Sequence, residues 1–361
     1  MFCRSPQSLN IGSLTATFPV IQGGMGVGIS LSGLSSAVAN EGGIGVIATA
    51  GIGMDERDFS VNFGEANLRA LRNEIRKARE LTNGILGVNI MVALSNFADL
   101  VRTAVEEGID IVLSGAGLPL NLPQFVNGAQ KTKLVPIVSS ARAAGIIARK
   151  WAEKYDRLPD AVVVEGPRAG GHLGFKEEML GDAGYSLENI LPEVIRVMKA
   201  FEDEYKKPIP VIAAGGIYTG ADIYRFFQLG ASGVQMATRF VTTHECDASE
   251  KFKQTYVDSE KEDIVIIKSP VGMPGRAIKN AFLSEVSEGK KKPFKCPFHC
   301  IVTCDYKNAP YCIALALVNA KKGNLSHGFA FAGENAHRAK RIISVKELVE
   351  TLKKEYSEAA R

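Results

Sequence analysis

The sequence predicts an α/β protein, a (β/α)8 TIM barrel with a smaller, mainly helical C-terminal lid domain. Three observations lead to this fold class. Eight short apolar runs recur through the first two thirds of the chain, helical patterns lie between most of them, and glycine-rich turns follow several of the runs. Strands that are covered on both faces read as continuous apolar runs, as a closed parallel barrel requires.

The eight runs are rich in Val and Ile and are taken as the barrel strands. They span residues 19–24, 45–49, 84–91, 110–115, 133–140, 161–166, 210–216 and 233–240. Segments between them, such as EANLRALRNEIRKARELTNG, repeat apolar residues at spacings of three and four, as amphipathic helices do. A doubly wound open sheet is the alternative. It usually has fewer units and carries its glycine fingerprint after the first strand rather than after the last two.

The alternation of strand and helix stops after Phe240, which predicts a domain boundary. We expect residues 1–240 to form the barrel and residues 241–343 to form a lid or substrate domain. The final segment, 344–361, begins with Ser344, a favourable N-cap residue, and we expect its helix to pack back on the barrel.

Composition excludes several classes of protein. The 361 residues are 46% hydrophobic and 23% charged, so the chain has enough apolar surface to fold. The net charge is only +4 and the basic residues are interspersed with acids, so no nucleic-acid partner is expected. No apolar stretch is long enough to cross a membrane, and the N-terminus MFCRSPQSLN lacks the features of a signal peptide. We expect a cytoplasmic protein with no membrane contact; a homodimer is one expectation for its oligomeric state.

The segment PVIAAGGIYTGADIYRFFQLGASGVQMATRF predicts an anion-binding site. One strand ends at Gly215 and Gly216, and the next ends at Gln235, Met236, Ala237 and Thr238. Consecutive strand ends are neighbours in a barrel, and glycine lets backbone amides and the N-terminus of the helix near Thr219 approach a phosphate. The alternative is that these glycines serve only tight turns.

The segment VVVEGPRAGGHLG predicts a catalytic histidine. The sixth strand ends at Glu165, and the loop containing Gly170 and Gly171 presents His172 at the end of the barrel where such enzymes keep their catalytic residues. A histidine there can act as a general base near neutral pH. A lone histidine is more often structural, but its position after two glycines on a strand-end loop favours catalysis.

Further residues at the same end of the barrel are suited to a flat ring. The first strand runs into IQGGMGVGIS, where Gly23 and Gly24 allow the backbone to lie against a planar group and Met25 covers it. Asn89 on the third strand adds a polar group. Each feature alone is explained by an ordinary strand–helix turn, so the prediction depends on their occurring together.

These motifs resemble those of the nitronate monooxygenase family, formerly called 2-nitropropane dioxygenases, which also contains flavin-dependent enoyl-acyl-carrier-protein reductases. The resemblance covers roughly residues 15–240, through PVIQGGMGVGIS, GVNIMV, VVVEGPRAGGHLG and the QMAT segment. It implies bound FMN and a small-molecule substrate, with His172 taking the proton next to a nitro group. The flavin contacts that it implies are Asn89, Glu165, Gly170, Gly216 and Gln235 to Thr238.

Three functions follow as alternatives. The preferred one is oxidation of an alkyl nitronate by O2. The second is NAD(P)H-dependent reduction of an enoyl thioester or a quinone. The third, in which an isomerase or binding protein holds a phosphorylated metabolite without flavin, is less favoured.

Cys296, Cys300, Cys304 and Cys312 form a Cys-x3-Cys-x3-Cys-x7-Cys series. On a helix the first three would share one face. Four thiolates can hold zinc or an iron–sulfur cluster, but the spacing matches neither the usual zinc nor the common ferredoxin pattern. Buried free cysteines are common, so we assign no metal ligands from the sequence and leave the alternatives open.

Overall fold

The computed structural model describes residues 6–126, 131–290, 294–296 and 298–361. Residues 1–5, the start of the segment inspected above for an export signal, lie outside these ranges. Among the described residues, no helix combines the length and the apolar character needed to span a bilayer.

A short hairpin precedes the barrel. Its strands, β1 (Leu9–Ile11) and β2 (Leu14–Ala16), pair antiparallel. Leu9 and Ile11 are buried in the same apolar cluster as inward-facing barrel residues such as Ile21. The hairpin therefore extends the packed interior of the barrel.

Eight parallel strands close into the predicted barrel, which confirms the fold class. They are β3 (Val20–Gln22), β4 (Ile44–Ala48), β5 (Ile85–Met91), β6 (Ile111–Gly115), β7 (Lys133–Val138), β8 (Val162–Glu165), β10 (Val211–Ala214) and β11 (Gly233–Met236). β11 pairs with β3 and thereby closes the ring. Each of these eight barrel strands lies within one of the eight apolar runs or overlaps it by most of its length.

Helices surround the barrel. They are α1 (Ser32–Asn40), α2 (Phe63–Leu81), α3 (Phe97–Glu106), α4 (Ala141–Tyr155), α5 (Leu187–Tyr205), α6 (Gly220–Gln228) and α7 (Thr238–Val241). Between β6 and β7 the described residues contain only the 3-10 helix Leu122–Phe125, so the alternation of strand and α-helix is interrupted there. The main core lies between the helices and the outer face of the barrel, where Trp151 is fully buried and donates to the carbonyl of Pro119.

The C-terminal segment, residues 241–343, is less helical than the sequence suggests. It contains α8 (Glu250–Val257), α9 (Ala281–Ser287) and α10 (Ile313–Lys321), but also strands β12 (Ile264–Lys268) and β13 (Pro274–Ile278). β13 pairs with β9 (Gly171–His172), which belongs to the loop after β8. The proline, glycine and arginine of β13 hide its strand character, which depends on pairing with distant residues.

Two further sequence expectations concern the C-terminal third. Ser344 caps α11 (Val345–Ala359) by accepting from the amide of Glu347, as predicted, and Glu355 of that helix accepts from the amide of Gly220 on α6. The helix considered for the cysteine series does not form. The described residues from 294 to 312 are turns, bends and irregular backbone with one β-bridge at Ile301, and only Cys312 adjoins a helix, at the N-cap of α10.

Candidate active site

A cavity of about 890 Å³ opens at the carboxyl ends of the barrel strands. All the residues that the sequence proposes for the site line it, together with residues of the C-terminal segment. The predicted residues are Gly23, Gly24, Met25, Asn89, Glu165, Gly170, Gly171, His172, Gly215, Gly216, Gln235, Met236, Ala237 and Thr238. The structure therefore brings the complete predicted set together, whereas their individual roles stay predictions.

The ends of β10 and β11 form one corner of this cavity. Ala214 and Gln235 are register partners on the two strands, so the residues that follow them lie side by side. Gly215 and Gly216 have φ values of +94° and +84°, which side chains rarely tolerate. A Cβ at Gly216 would lie 2.8 Å from the Cβ of Arg168. Both positions thus require glycine.

The amides at this corner are suited to an anion. Among the hydrogen bonds of the described residues, the N–H groups of Gly215 and Gly216 have no protein acceptor. The N-terminus of α6, which the sequence also proposes for the anion, already has protein acceptors for two of its amides. Thr219 and Asp222 form a capping box, and the amide of Gly220 donates to Glu355 at 2.7 Å. The unpaired amides of the strand-end glycines are therefore the main anion donors that we expect at this corner.

The neighbouring part of the barrel wall, at the ends of β11 and β3, offers a flat surface and an unpaired acceptor. A Cβ at Gly24 would lie only 2.5 Å from the Cβ of Asn89, so a side chain there would displace Asn89. The Oε1 atom of Gln235 is buried and has no hydrogen-bond partner. A buried polar atom without a partner is unfavourable by about 1–3 kcal/mol. An N–H group of a ligand is the natural partner for it.

Glu165 ends β8 and faces the same cavity. Burial raises the pKa of its carboxyl group to about 7, because the charged form loses hydration without gaining a cationic partner. At neutral pH this group can therefore donate as well as accept a hydrogen bond.

His172 lies in β9, and its backbone pairs with Gly275 of β13. Its Nε2 atom is 2.7 Å from the hydroxyl oxygen of Ser269, and its ring meets the ring of Phe331 edge-on at a centroid distance of 5.0 Å. Burial lowers the pKa of His172 to about 4, so the imidazole is neutral at pH 7. The histidine is thus deprotonated and held in one orientation.

The loop between β8 and β9 is fixed by the C-terminal segment. Arg276 of β13 is 7% exposed and donates to the carbonyl oxygens of Pro167 and Ala169, at 2.7 and 2.5 Å. The amide of Gly333 donates to Thr238, and the side chain of Asn335 donates to the carbonyl of Gly216. These contacts attach the segment to both parts of the predicted site.

Sequence reasoning missed Ser269, Arg276, Phe331, Gly333 and Asn335. The run SPVGMPGRA was noticeable for its Gly and Pro content, but nothing in it indicates contact with residues about a hundred positions earlier. Arg168 was also unassigned. It lies at the cavity edge, where its Nε atom is 3.4 Å from Glu334.

Comparison with known proteins supports the resemblance. A family model described as nitronate monooxygenase matches residues 7–355. A Staphylococcus aureus (strain Newman) protein described as "Probable nitronate monooxygenase" is 27% identical over 311 residues, covering 76% of this chain and 79% of that protein. A Mycobacterium tuberculosis protein described as a "(3aS,4S,5R,7aS)-5-hydroxy-7a-methyl-1-oxo-octahydro-1H-indene-4-carboxyl-CoA dehydrogenase" is 28% identical over 291 residues, covering 81% of this chain and 70% of that protein.

Solved structures share the fold. FabK from Thermotoga maritima superposes with a TM-score of 0.74 at 28% identity, covering 95% of this chain and 94% of that chain. Nitroalkane oxidase from Streptomyces ansochromogenes superposes with a TM-score of 0.72 at 23% identity, covering 95% and 96% of the two chains, a likeness of fold. With a family model that spans nearly the whole chain and a barrel whose predicted site residues meet in one cavity, this protein belongs to the nitronate monooxygenase family and is an oxidoreductase.

Proposed function

We propose that this enzyme is an FMN-dependent oxidoreductase that oxidises alkyl nitronates with O2. One observation carries the proposal: a partly buried, neutral histidine shares its cavity with unpaired strand-end amides and an unpaired amide oxygen, that of Gln235. The histidine would provide a base, the strand-end amides would bind the phosphate of a flavin nucleotide, and the amide oxygen of Gln235 would bind its ring.

The residues present fit FMN. Gly215 and Gly216 would donate their amides to the phosphate, and Oε1 of Gln235 would accept from a ring N–H group. Gly23, Gly24 and Met25 would lie along the ring. Bound FMN would supply the electron transfer from nitronate to O2, which the side chains of the cavity cannot perform.

His172 would act on a neutral nitroalkane before oxidation. Ser269 holds Nε2, which leaves Nδ1 as the atom that takes the α-proton. The C–H bond breaks, and its electron pair moves onto the nitro group. The nitronate anion that forms lies beside the imidazolium of His172 and stabilises it. The low pKa of His172 keeps the imidazole deprotonated before reaction, and the nitronate anion raises that pKa as the proton is transferred.

The experiment compares neutral nitroalkane with preformed nitronate in the His172→Ala protein. We expect FMN to remain bound and turnover of the neutral substrate to fall by about 10²–10⁴-fold, the usual contribution of a general base. Preformed nitronate should be affected much less, because it needs no proton abstraction. His327→Ala, at a histidine whose hydrogen bonds are exposed, is the control. Unchanged turnover of the neutral substrate would remove His172 from the mechanism.

A second candidate is an NAD(P)H-dependent flavin enzyme acting on an enoyl-acyl-carrier-protein or a quinone. Its support is the likeness to FabK and to the relative named as a carboxyl-CoA dehydrogenase, which suggests a thioester substrate. The cavity wall includes apolar residues such as Phe63, Leu94 and Leu317, which suit an acyl chain. Anaerobic mixing distinguishes the two: rapid bleaching of flavin by NADH or NADPH favours the reductase, and bleaching by nitronate alone favours the monooxygenase.

The third candidate, a phosphate-binding isomerase or binding protein without flavin, predicts a colourless protein that takes up no FMN. An absorption spectrum of the purified protein is therefore the first measurement to make. We also propose that residues 1–240 with 344–361 act as the barrel domain and residues 241–343 as its lid, in a cytoplasmic enzyme for which a homodimer is the first assembly to test.

A further inference from the structure

A second, smaller cavity adjoins the active-site cavity. Its volume is about 240 Å³, and all four clustered cysteines line it. We call it the cysteine pocket, defined by Cys296, Cys300, Cys304 and Cys312. Cys300, Ile301, Ile313 and Ala314 line both cavities, so the two share a wall.

The segment that carries the cysteines is held against the barrel. The carbonyl of Cys300 accepts from the amide of Ser95 at 3.1 Å, and the amide of Val302 donates to the carbonyl of Ala93 at 2.9 Å. The ring of Phe298 stacks on that of Phe59 at a centroid distance of 5.3 Å. An otherwise irregular segment is therefore fixed at both the backbone and the side-chain level.

The four thiols are free and line the same pocket. None of them is in a disulfide, and each is partly buried. Four free thiols that line one pocket, in a segment with no helix of its own, are a concentration of possible metal ligands.

The separation of the possible ligands distinguishes a single metal ion from an iron–sulfur cluster. Zn–S bonds of about 2.3 Å place tetrahedral ligand sulfurs roughly 3.8 Å apart. Among the described residues, no three His, Cys, Asp or Glu side chains converge closely enough to hold a single metal ion. An iron–sulfur cluster holds its cysteines further apart, because the metal and sulfide atoms lie between them. An open space among four thiols suits that arrangement.

We propose that the four cysteines of this pocket bind a [4Fe–4S] cluster beside the active-site cavity. Transfer of a preassembled cluster from a thiolate donor is a ligand exchange: four Fe–S bonds to the donor break and four to cysteine form. The four cysteine protons pass to the released donor thiolates or to solvent, and there is no net oxidation. Through Cys300, the cluster would contribute to the wall of the active site and hold the segment from Phe294 to Cys312 in place. The proposal is independent of the flavin and of the substrate.

The first test is metal analysis of the full-length protein purified without oxygen. We expect about four iron and four acid-labile sulfide per chain, the content of one [4Fe–4S] cluster. Flavin is extracted and quantified separately, so the result does not depend on FMN. Less than one iron per chain, or one zinc per chain without sulfide, would overturn the proposal.

The second test compares cysteine variants for iron content and for the electron paramagnetic resonance signal after reduction. Cys300→Ala and Cys304→Ser should each lose more than half of the iron and sulfide and the signal of the reduced cluster. Cys246→Ala is the matched control, because Cys246 is buried in the main core outside the pocket and should keep both. Equal iron in all of these proteins would show adventitious metal and refute the assignment; Cys304→Ser keeps the test valid if Cys300→Ala does not fold.

Discussion

The two walls of the active-site cavity are built in different ways. The barrel wall consists largely of glycines and backbone at the ends of β3, β10 and β11, and each group lies directly after its strand. The wall from the C-terminal segment surrounds one side chain: Ser269 and Phe331 contact His172 from 97 or more positions along the chain.

This difference suggests a division of labour. The barrel wall is defined by backbone conformation, which is suited to gripping a cofactor of fixed shape. The C-terminal wall is defined by side-chain contacts, which set the protonation and orientation of His172. Changes in the first wall should therefore alter FMN binding, and changes in the second should alter turnover and its pH dependence.

The largest effect is expected for Gly216→Ala. The new Cβ would meet Arg168 at 2.8 Å in a backbone conformation with φ of +84°, so the strand-end amides of Gly215 and Gly216 must shift. We expect FMN affinity to fall by about a hundredfold, and the free energy of unfolding by about 1–2 kcal/mol from the left-handed conformation. Fluorescence titration with FMN measures the first. Gly289→Ala is the control, because it has φ of +83° and nothing within 4 Å. Equal FMN affinity in both variants would contradict phosphate binding by the amides of Gly215 and Gly216.

The next effect is a change in the pH dependence of stability in the flavin-free protein. His172 has a folded pKa of about 4, below its unfolded value of 6.5, so its contribution to the free energy of unfolding rises as pH increases from 4 to 6.5. Glu165 has a folded pKa of about 7, above its unfolded value of 4.5, so its contribution falls as pH increases from 4.5 to 7. The two contributions oppose each other.

Glu165→Gln removes one of them. Urea unfolding at a series of pH values should then show the free energy of unfolding rising, relative to wild type, by up to about 3 kcal/mol between pH 4.5 and 7. Parallel curves for the two proteins would show that the barrel wall does not hold a protonated carboxyl group.

Arg276→Met tests the connection between the walls. The carbonyls of Pro167 and Ala169 would lose their buried donor, and we expect the free energy of unfolding to fall by about 2 kcal/mol. FMN should also bind more weakly, because the loop that carries Gly170 is released. Chemical unfolding and FMN titration measure these effects. The exposed Arg196→Met is the control, with an expected change within about 0.5 kcal/mol. If the two walls act independently, Arg276→Met will leave FMN affinity unchanged.

The smallest effect is expected for Ser269→Ala. Ser269 is a positioning residue, and the loss of its hydrogen bond to His172 should lower kcat for neutral nitroalkane by about five- to tenfold, with little change in KM. The acidic limb of the pH profile should also shift, which a purely structural serine would not cause. Ser326→Ala is the control, because its hydroxyl lies 2.9 Å from an exposed histidine, His327.

Much of the fold was predictable because barrel strands depend on local composition. The strands ending at Gln22, Glu165 and Ala214 are apolar because both of their faces are covered, and this apolar character can be read from the sequence. The predicted site residues were identifiable for the same reason: in a barrel, every strand end reaches one rim. The strands β12 and β13 were not predicted, because Pro274, Gly275 and Arg276 are poor strand formers that become a strand by pairing with β12 on one side and β9 on the other.

The sequence by itself determined the barrel, the rim at which the site lies, and the glycines whose backbone conformations the strand-end corner of the cavity needs. Only the tertiary structure decided the protonation of His172 and Glu165, the occupation of the N-terminus of α6 by Glu355, and the gathering of four cysteines beside the active site. The reason is physical. Strand formation and turn conformation depend on neighbouring residues, whereas dehydration, hydrogen-bond partners and metal-binding geometry depend on groups that only folding brings together.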